Sequence, residues 1–446
     1  MMKFHFVYLP VISSLIINGH PVVSRKTCVV ESHGVNTTDD APAIINAFEE
    51  CGRDGKVIFL PTTYYISSVM NITWLDNVDI DLYGTLLWST DIQYWLNNSL
   101  DVGYQNQSTA FILGGNEVRL NGYDQGIIDG NGDYWYEWIS RQENTSNYPG
   151  RPHAITFNGL RNSVVSGLAF LRSQMWTMSL IYCEHVILDS IFVNNTGNVV
   201  QSSNTDGADT IYSSHITFNN WTVYNGDDSI SLKADSYDVN ITNSKFYDGQ
   251  GIAMGSIGQY YGVTEHIREV RVKNITFDNT LHAVYFKTWT ADQNGYPPNG
   301  GGGGLGSEYL SILKSKSCAE RFFAWSDASN MHFDNLHAIE LHGAAFSISQ
   351  CTRFSGAPGD GNCTNSEFEI LDITINNMTG TTRSNQIASL QCSAVKPCND
   401  IGLFDINLKF NNGTPATAYL CGNAESPRGF NCTGEPCVGG SATGGC

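Results

Sequence analysis

Short runs of alternating apolar and polar residues dominate the middle of the chain, and each run ends at Asn, Gly, Ser or Asp. Alternation with a period of two is typical of a strand with one buried face, and amphipathic helical periodicity is absent from this region. The runs recur about every 20 to 30 residues, which is the length of one structural repeat. We therefore predict strands over residues 164–168, 186–191, 215–218, 240–243, 274–277 and 373–376.

Strands this short cannot bury an apolar face alone, so the repeat predicts coils that stack into an all-β solenoid. The 44 Gly and the frequent Asn suit the tight corners of such coils. A β-sandwich also contains many short strands, but the regular one-coil repeat favours the solenoid. Because the 446 residues contain no linker, we expect one domain from residue 25 to residue 446, with a Cys-rich C-terminal region.

One helix is predicted near the N-terminus, where residues 36–40 offer N-cap side chains and Pro42 suits a first helical turn. Ala43, Ile44, Ala47 and Phe48 form its apolar face. The first coil of a solenoid otherwise exposes apolar core and strand edges, so this helix is expected to cap it. Two cysteines that flank the helix, at positions 28 and 51, could bridge and hold it in place.

Residues 1–24 resemble a cleaved secretory signal, with one early Lys and a short apolar run. That run is too short to span a membrane, and no later stretch is long enough. The even count of 12 Cys fits disulfides in an oxidising compartment, and the Cys spacings are not those of a zinc site. The sequence therefore predicts a secreted, extracellular protein.

Acceptor sequences for N-glycosylation recur along the chain and suit a secreted glycoprotein. They begin at Asn36, Asn71, Asn97, Asn106, Asn144, Asn194, Asn220, Asn240, Asn274, Asn362, Asn377, Asn412 and Asn431. Several of them fall within predicted strands and need not carry a glycan.

The net charge of −19 argues against a nucleic-acid partner, because no basic stripe is present to neutralise phosphates. An acidic surface also repels an acidic polysaccharide unless local cations line the binding groove. We interpret the overall charge as a solubility property at low pH, and expect substrate attraction to depend on local groups.

Candidate chemistry concentrates in four short segments in the middle of the chain. They are Asn204-Thr205-Asp206, Gly226-Asp227-Asp228, Gly249-Gln250-Gly251 and Tyr285-Phe286-Lys287. Neighbouring carboxylates push one another's pKa values apart, so that one stays protonated while another is ionised. Hydrolysis of a glycosidic bond requires this combination of an acid and a base.

These motifs resemble glycoside hydrolase family 28, the polygalacturonase and rhamnogalacturonase group of pectin-degrading enzymes. The likeness covers nearly the whole mature chain, including the Gly-rich coil at 126–132 and the sequence from Asn204 to Asp209 that precedes Gly226-Asp227-Asp228. The resemblance implies a right-handed parallel β-helix. It also implies that Asp227 is the general acid, that Asp206 and Asp228 activate the water, and that Asn204 lies at the substrate site.

Two positions depart from the polygalacturonase pattern of Gly-His-Gly and Arg-Ile-Lys. Gln250 stands in place of the His and Tyr285 in place of the Arg, while Lys287 is kept. An Arg binds a carboxylate through two parallel bonds, which Tyr cannot replace. We therefore expect a neutral sugar at one position and a uronic acid at the other, as in rhamnogalacturonan. Tyr285 would offer its ring to the rhamnose methyl group, and Gln250 would hydrogen-bond the sugar hydroxyls.

Exo action is expected because candidate loops could close one end of the groove, at residues 91–107, 135–151 and 292–307. The predicted enzyme is a monomeric, inverting hydrolase that needs no metal or cofactor and releases terminal α-L-rhamnose from the pectic polysaccharide of plant cell walls. The main alternative is an exo-polygalacturonase that releases galacturonic acid. An endo-rhamnogalacturonase, a calcium-dependent pectate lyase and a non-catalytic polysaccharide-binding β-helix are further alternatives.

Overall fold

The computed structural model of the protein describes residues 25–143, 145, 147–291, 302–311, 320–352 and 364–435. The predicted signal segment 1–24 lies outside this part of the chain. Three helices occur in it: α1 Ala41–Cys51, α2 Ile92–Asn98 and α3 Gly132–Ile139. No helix among the described residues has the length and apolar character needed to cross a membrane.

The described residues form 31 strands, and their bounds in the first half of the chain are as follows. These are β1 Lys26–Val30, β2 Gly55–Phe59, β3 Thr63–Ile66, β4 Met70–Leu82, β5 Thr85–Trp88, β6 Leu100–Asp101, β7 Ser108–Thr109, β8 Phe111–Asp129, β9 Pro152–His153, β10 Ile155–Asn158, β11 Arg161–Leu171, β12 Met178–Ile181, β13 Glu184–Asp189, β14 Phe192–Asn194, β15 Asp209–Ile211, β16 Ser214–Asn219 and β17 Thr222–Tyr224.

The remaining strands complete the same series. They are β18 Asp228–Leu232, β19 Ser236–Tyr247, β20 Gly251–Ile257, β21 His266–Asp278, β22 Val284–Trp289, β23 Leu305–Ser311, β24 Glu320–Trp325, β25 Asp327–Leu341, β26 Phe346–Thr352, β27 Glu369–Thr382, β28 Gln386–Gln391, β29 Cys398–Lys409, β30 Ala418–Gly422 and β31 Ala424–Glu425.

Twenty-six of these strands join one continuous sheet in which every pairing is parallel and links one coil to the next. This arrangement is a right-handed parallel β-helix, so the predicted fold is confirmed and the sandwich is excluded. One face, named here the cleft face, is formed by β10, β12, β15, β18, β20, β22, β26, β28 and β30. Five of the six predicted strand segments lie within observed strands, and the sixth, 186–191, extends two residues beyond the end of β13 at Asp189.

The core consists of apolar side chains that stack from coil to coil at the same position of the strand. One such column is fully buried and runs through eight coils: Val165, Leu188, Phe218, Ile241, Val272, Phe333, Ile375 and Leu403. The period-two pattern of the sequence thus produces one inward row for each strand and leaves the alternate residues outside.

Helix α1 caps the first coils as predicted, with Ile44, Ala47 and Phe48 buried. Asp39 accepts a hydrogen bond from the backbone N–H of Ala41 at 3.1 Å, which satisfies one donor at the helix start. The Cys28–Cys51 disulfide joins β1 to the end of this helix. The predicted bridge is therefore confirmed.

Further disulfides support the C-terminal coils, where Cys392 is bonded to Cys398 and Cys421 to Cys432. These four cysteines have no free thiolate and therefore do not act as zinc ligands in this structure. Cys183 is a buried free thiol, so not every cysteine is used in a bridge.

One outer corner of the solenoid carries a ladder of asparagines. Asn243, Asn274, Asn335 and Asn377 occupy equivalent positions with φ between 53° and 60°. The side-chain amide of each later residue donates to the Oδ1 of the one before it, at 3.0, 2.7 and 3.2 Å. This ladder explains why Asn is frequent at the corners, because Asn tolerates the left-handed backbone and can both donate and accept.

Candidate active site

The three aspartates of the central motifs meet at a turn that enters the cleft face. Asp206 precedes β15, Asp227 precedes β18, and Asp228 is the first residue of β18. The backbone N–H of Gly207 donates to the carbonyl oxygen of Asp228 at 2.9 Å, so the two turns lie on neighbouring coils. One carboxylate oxygen from each aspartate lies within 4.8 Å of the other two. The convergence expected from the motif spacing is confirmed.

Glycine permits this close approach of the two turns. A Cβ atom at Gly207 would lie 2.2 Å from the carbonyl oxygen of Ser229, and one at Gly226 would lie 2.2 Å from that of Ser202. Any side chain at these positions would force the coils apart and separate the aspartates.

Burial and mutual repulsion set the protonation of two of the carboxyl groups. Asp206 is 3% exposed, and burial together with the charges of Asp227, Asp209 and Asp228 raises its pKa well above its ordinary value. Asp227 is partly exposed but mostly surrounded by protein, and this desolvation, with the charge of Asp228, raises its pKa to about 6. At mildly acidic pH, the site therefore holds a protonated carboxyl group at Asp227.

Asp228 is fully buried and is held by donors on β22. Lys287 Nζ lies 2.8 Å from its Oδ2, and the Tyr285 hydroxyl donates to its Oδ1. Burial alone would lower the pKa of Lys287, but the charges of Asp228, Asp227 and Asp206 raise it above its ordinary value. The ammonium and the phenol together hold both oxygens of this carboxylate in place.

Tyr285 occupies a different place from the one predicted. Its side chain is fully buried, and its hydroxyl also donates to Gln250 Oε1 at 2.9 Å. The ring is thus not exposed to stack on a sugar, and the expected contact with a rhamnose methyl group does not fit this geometry. The reason is that Tyr285 lies on β22, two coils from β18, and its side chain reaches back to the carboxylate of Asp228. Gln250 remains partly exposed beside it.

Asn204 lies directly against the carboxyl group of Asp227. Its backbone N–H and its side-chain amide approach Asp227 Oδ2 at 3.2 and 3.4 Å. The other oxygen, Oδ1, accepts the backbone N–H of Asp228 at 2.9 Å. The site therefore brings together all seven residues that the sequence singled out.

A second buried ion pair adjoins the aspartates and was missed by sequence reasoning. Lys233 Nζ lies 3.2 Å from Asp209, and both side chains are nearly inaccessible to solvent. Burial raises the pKa of Asp209 to about 7, although Lys233 opposes the shift. Asp209 stands three residues after Asp206 in the motif, and this spacing was the available signal.

Arg151 was also missed as a site residue, although it ends a segment that the sequence marked as a loop. It is completely buried, and the charges of Asp206 and Asp227 act on it. A lone Arg next to Pro152 gives no sequence signal of such a position.

Two groups of side chains in the described part of the chain have the composition and proximity of a metal site. One is the set of three aspartates, where Lys287 already supplies a positive charge. The other is Glu184, His185 and His215, at an exposed corner away from the cleft face.

Two of the three loops expected from the sequence, at residues 91–107 and 135–151, lie largely within the described residues. The segment 102–107 crosses the cleft face, where Tyr104 packs with Ile181 and Ile211, and Gln105 donates to Gln259 at 2.9 Å. Helix α3 follows β8, and Tyr136 of this helix donates a hydrogen bond to the carbonyl oxygen of Ser173 at 2.8 Å. Residues 292–301 of the third expected loop lie outside the described residues.

The model of glycosyl hydrolases family 28 matches residues 70–295, which include every residue of this site. An alpha-L-rhamnosidase of Aspergillus niger, rgxB, is 53% identical over 431 residues, covering 96% of this chain and 94% of its own. The chain belongs to glycosyl hydrolases family 28. It is accordingly a glycoside hydrolase, and the predicted family is confirmed.

Other similarities agree with this family. A putative galacturan 1,4-alpha-galacturonidase A of Aspergillus niger is 32% identical over 432 residues, covering 90% of this chain and 91% of its own. The crystal structure of endo-xylogalacturonan hydrolase from Aspergillus tubingensis superposes with a TM-score of 0.72 at 22% identity, covering 93% of this chain and all of that one. At this identity the structural match concerns the fold.

Proposed function

We propose that this family 28 hydrolase is a secreted, inverting exo-enzyme that releases terminal α-L-rhamnose from rhamnogalacturonan or its fragments. Asp227 is the general acid that protonates the leaving oxygen. Asp228 deprotonates the attacking water, and Asp206, whose raised pKa favours its protonated form, helps to hold that water. The raised pKa of Asp227 supports its role, because an acid must be protonated at the working pH.

The water-activating role of Asp228 is supported by its fixed geometry. Lys287 and Tyr285 hold both of its oxygens, so the carboxylate cannot turn away from the water. Inverting hydrolases usually separate their carboxyl groups by about 6.5 to 9.5 Å. The oxygens here approach within 4.8 Å, so inversion is proposed from family membership and not from this distance.

The proposal of a neutral terminal sugar rests on how the cations around the site are already bound. Among the described residues, three cations act on the aspartates: Lys287, Lys233 and Arg151. Lys287 is paired with Asp228 and Lys233 with Asp209, while Arg151 is bound to backbone carbonyls. A terminal uronic acid would find both lysines already paired and the Arg151 guanidinium completely buried, whereas rhamnose needs none of these charges.

The 53% identity to an alpha-L-rhamnosidase supports the same sugar. Gln250 and Tyr285, which replace a His and an Arg of the polygalacturonase pattern, bind one another and Asp228. They therefore supply no positive charge to the sugar side of the site.

The experiment is a product analysis on two defined oligosaccharides: a rhamnogalacturonan oligomer with rhamnose at its non-reducing end, and an oligogalacturonide. We expect free rhamnose from the first and almost no galacturonic acid from the second. The Asp227→Asn variant, purified in parallel, controls for contaminating hydrolases. Release of galacturonic acid without rhamnose would overturn the proposal.

An exo-polygalacturonase is the second candidate, favoured by the 32% identity to a putative galacturan 1,4-alpha-galacturonidase. In that case Lys287 would have to bind the substrate carboxylate while it keeps its bond to Asp228. The same product analysis separates the two candidates.

A further inference from the structure

A single buried guanidinium connects the loops on the N-terminal side of the aspartates. Arg151 Nε donates to the carbonyl oxygen of Gln174 at 2.7 Å, and its Nη2 donates to that of Ser203 at 2.8 Å. These carbonyls belong to two different turns, the one before β12 and the one before β15. Arg is suited to this task because its rigid fork holds two acceptors at once.

The second of these bonds leads directly to the proposed acid. Ser203 is followed by Asn204, whose backbone N–H and side-chain amide both face Asp227 Oδ2. Fixing the Ser203 carbonyl therefore fixes the peptide that carries these donors. The remaining nitrogen of Arg151, Nη1, is buried without a hydrogen-bond partner among the described residues, so its charge is left to act on the carboxylates.

The same bond anchors a protruding loop. Residues 195–204 leave the coil between β14 and β15, and Val199 at the tip is 91% exposed. Asn198 is held by Asp133 of α3, at 3.0 and 2.6 Å, and Ser203 Oγ donates to the carbonyl of Thr145 at 3.3 Å. The loop and the α3 region thus form one continuous wall beside the aspartates.

We propose that Arg151 is a positioning residue that joins this wall to the acid: one guanidinium both closes the N-terminal end of the cleft and holds Asn204 against Asp227. The inference rests on the proposed exo-hydrolase function and on the role of Asp227 in it. It links the length of the product to the protonation of the acid through one side chain.

Two substitutions separate these roles. Arg151→Met removes the charge and both bonds, so ionised Asp227 loses a nearby cation and fixed donors. We expect the alkaline limb of the pH–rate profile to move up by about one pH unit, since each lost interaction favoured the charged form. We also expect internal fragments beside the terminal monosaccharide, and a lower kcat.

Arg151→Lys keeps the charge but cannot bind both carbonyls in the fork geometry. We expect the alkaline limb to return towards that of the wild type, while internal fragments still form. Tyr64→Phe is the matched control, because it removes a buried hydrogen bond, to the Val30 carbonyl at 3.1 Å, in the first coils and outside the wall. It should change stability without changing the limb or the products.

The inference would be overturned if both Arg151 variants gave the same products as the wild type and the same alkaline limb of the pH–rate profile. If the Arg151→Met variant does not accumulate as folded protein, the products of the Arg151→Lys variant test whether Arg151 holds the wall: internal fragments support this role, and wild-type products contradict it. If the wild type releases galacturonic acid in place of rhamnose, the proposed sugar is wrong, but the Arg151 comparison stands on that substrate.

Discussion

Two corners of the same solenoid use similar residues with opposite results. At the outer corner, asparagines stack from coil to coil, exposed and mutually hydrogen bonded. At the cleft corner, three aspartates from two neighbouring coils lie close together, but they are largely buried and repel one another. An amide both donates and accepts, so identical amides satisfy each other in every coil. A carboxylate only accepts, and therefore needs donors from elsewhere.

At the cleft corner, residues other than the three aspartates supply those donors. Lys287 and Tyr285 come from β22, and Asn204 comes from the turn beside Asp227. The ladder therefore stabilises the fold locally, whereas the aspartate cluster keeps mutually repelling carboxyl groups together. Residues in functional sites often carry such a cost in stability.

The largest expected effect is on activity at the cleft corner. Asp227→Asn removes the proposed acid, and hydrolysis should fall by about 10² to 10⁴-fold, the usual contribution of a general acid. The unfolding temperature should stay the same or rise, because a charge that repels Asp206 and Asp228 is lost. Initial rates and thermal unfolding test both points. Asp334→Asn, in an outer strand, is the control, and full activity of Asp227→Asn would disprove the assignment.

Removal of a donor should cost both activity and stability. Lys287→Met leaves the buried Asp228 carboxylate without its cation, and loss of one partner of such a pair costs about 3 kcal/mol in unfolding free energy. Urea denaturation and kcat measure the two effects. Lys26→Met, which breaks an exposed pair with Glu50, should change neither. Equal losses in both variants would show that burial does not distinguish the cleft pair.

The pH dependence of the cleft corner follows from Asp227. Burial and the charge of Asp228 raise its pKa to about 6, so the acid is protonated below that pH and ionised above it. The rate constant kcat/KM should therefore fall about tenfold for each pH unit above 6. Rates on a neutral substrate between pH 4 and 8 measure this limb. A limb near pH 4 would mean that the carboxyl group is not desolvated as the structure has it.

The smallest effect is expected at the outer corner. Asn335→Ala breaks two ladder hydrogen bonds and places alanine, which has no polar side chain, at a backbone φ of 56°, for a cost of about 1 kcal/mol in stability. Activity should not change. Asn335→Gly tolerates the backbone and should recover part of the loss, as measured by chemical denaturation. A drop in activity would mean that the two corners are coupled.

The coil repeat and the core could be predicted because they depend on local pattern. Alternation and turn residues placed β11, β13, β16, β19, β21 and β27, and the capping helix with its disulfide followed from residues close in sequence. The three aspartates were also found, since their motifs lie about one coil apart and a parallel solenoid stacks consecutive coils.

The role of Tyr285 could not be predicted in this way. It is 57 residues from Asp228 in sequence, and only the stacking of two further coils brings its hydroxyl to that carboxylate. Sequence reasoning assigned the ring to a sugar, whereas in the structure the ring is buried and its hydroxyl donates to Asp228 and Gln250. Arg151 illustrates the same limit, since its partner Ser203 is 52 residues away.

By itself, the sequence determined the coil, its strands, its cap and the carboxylates that meet at one turn, because all of these arise from periodicity and short-range spacing. The tertiary structure alone decided which donors hold each carboxylate, which cations are already engaged, and which buried arginine joins the wall to the acid. Those properties depend on side chains from distant coils that share one desolvated volume, where distance and burial, not residue type, fix the charge of each group.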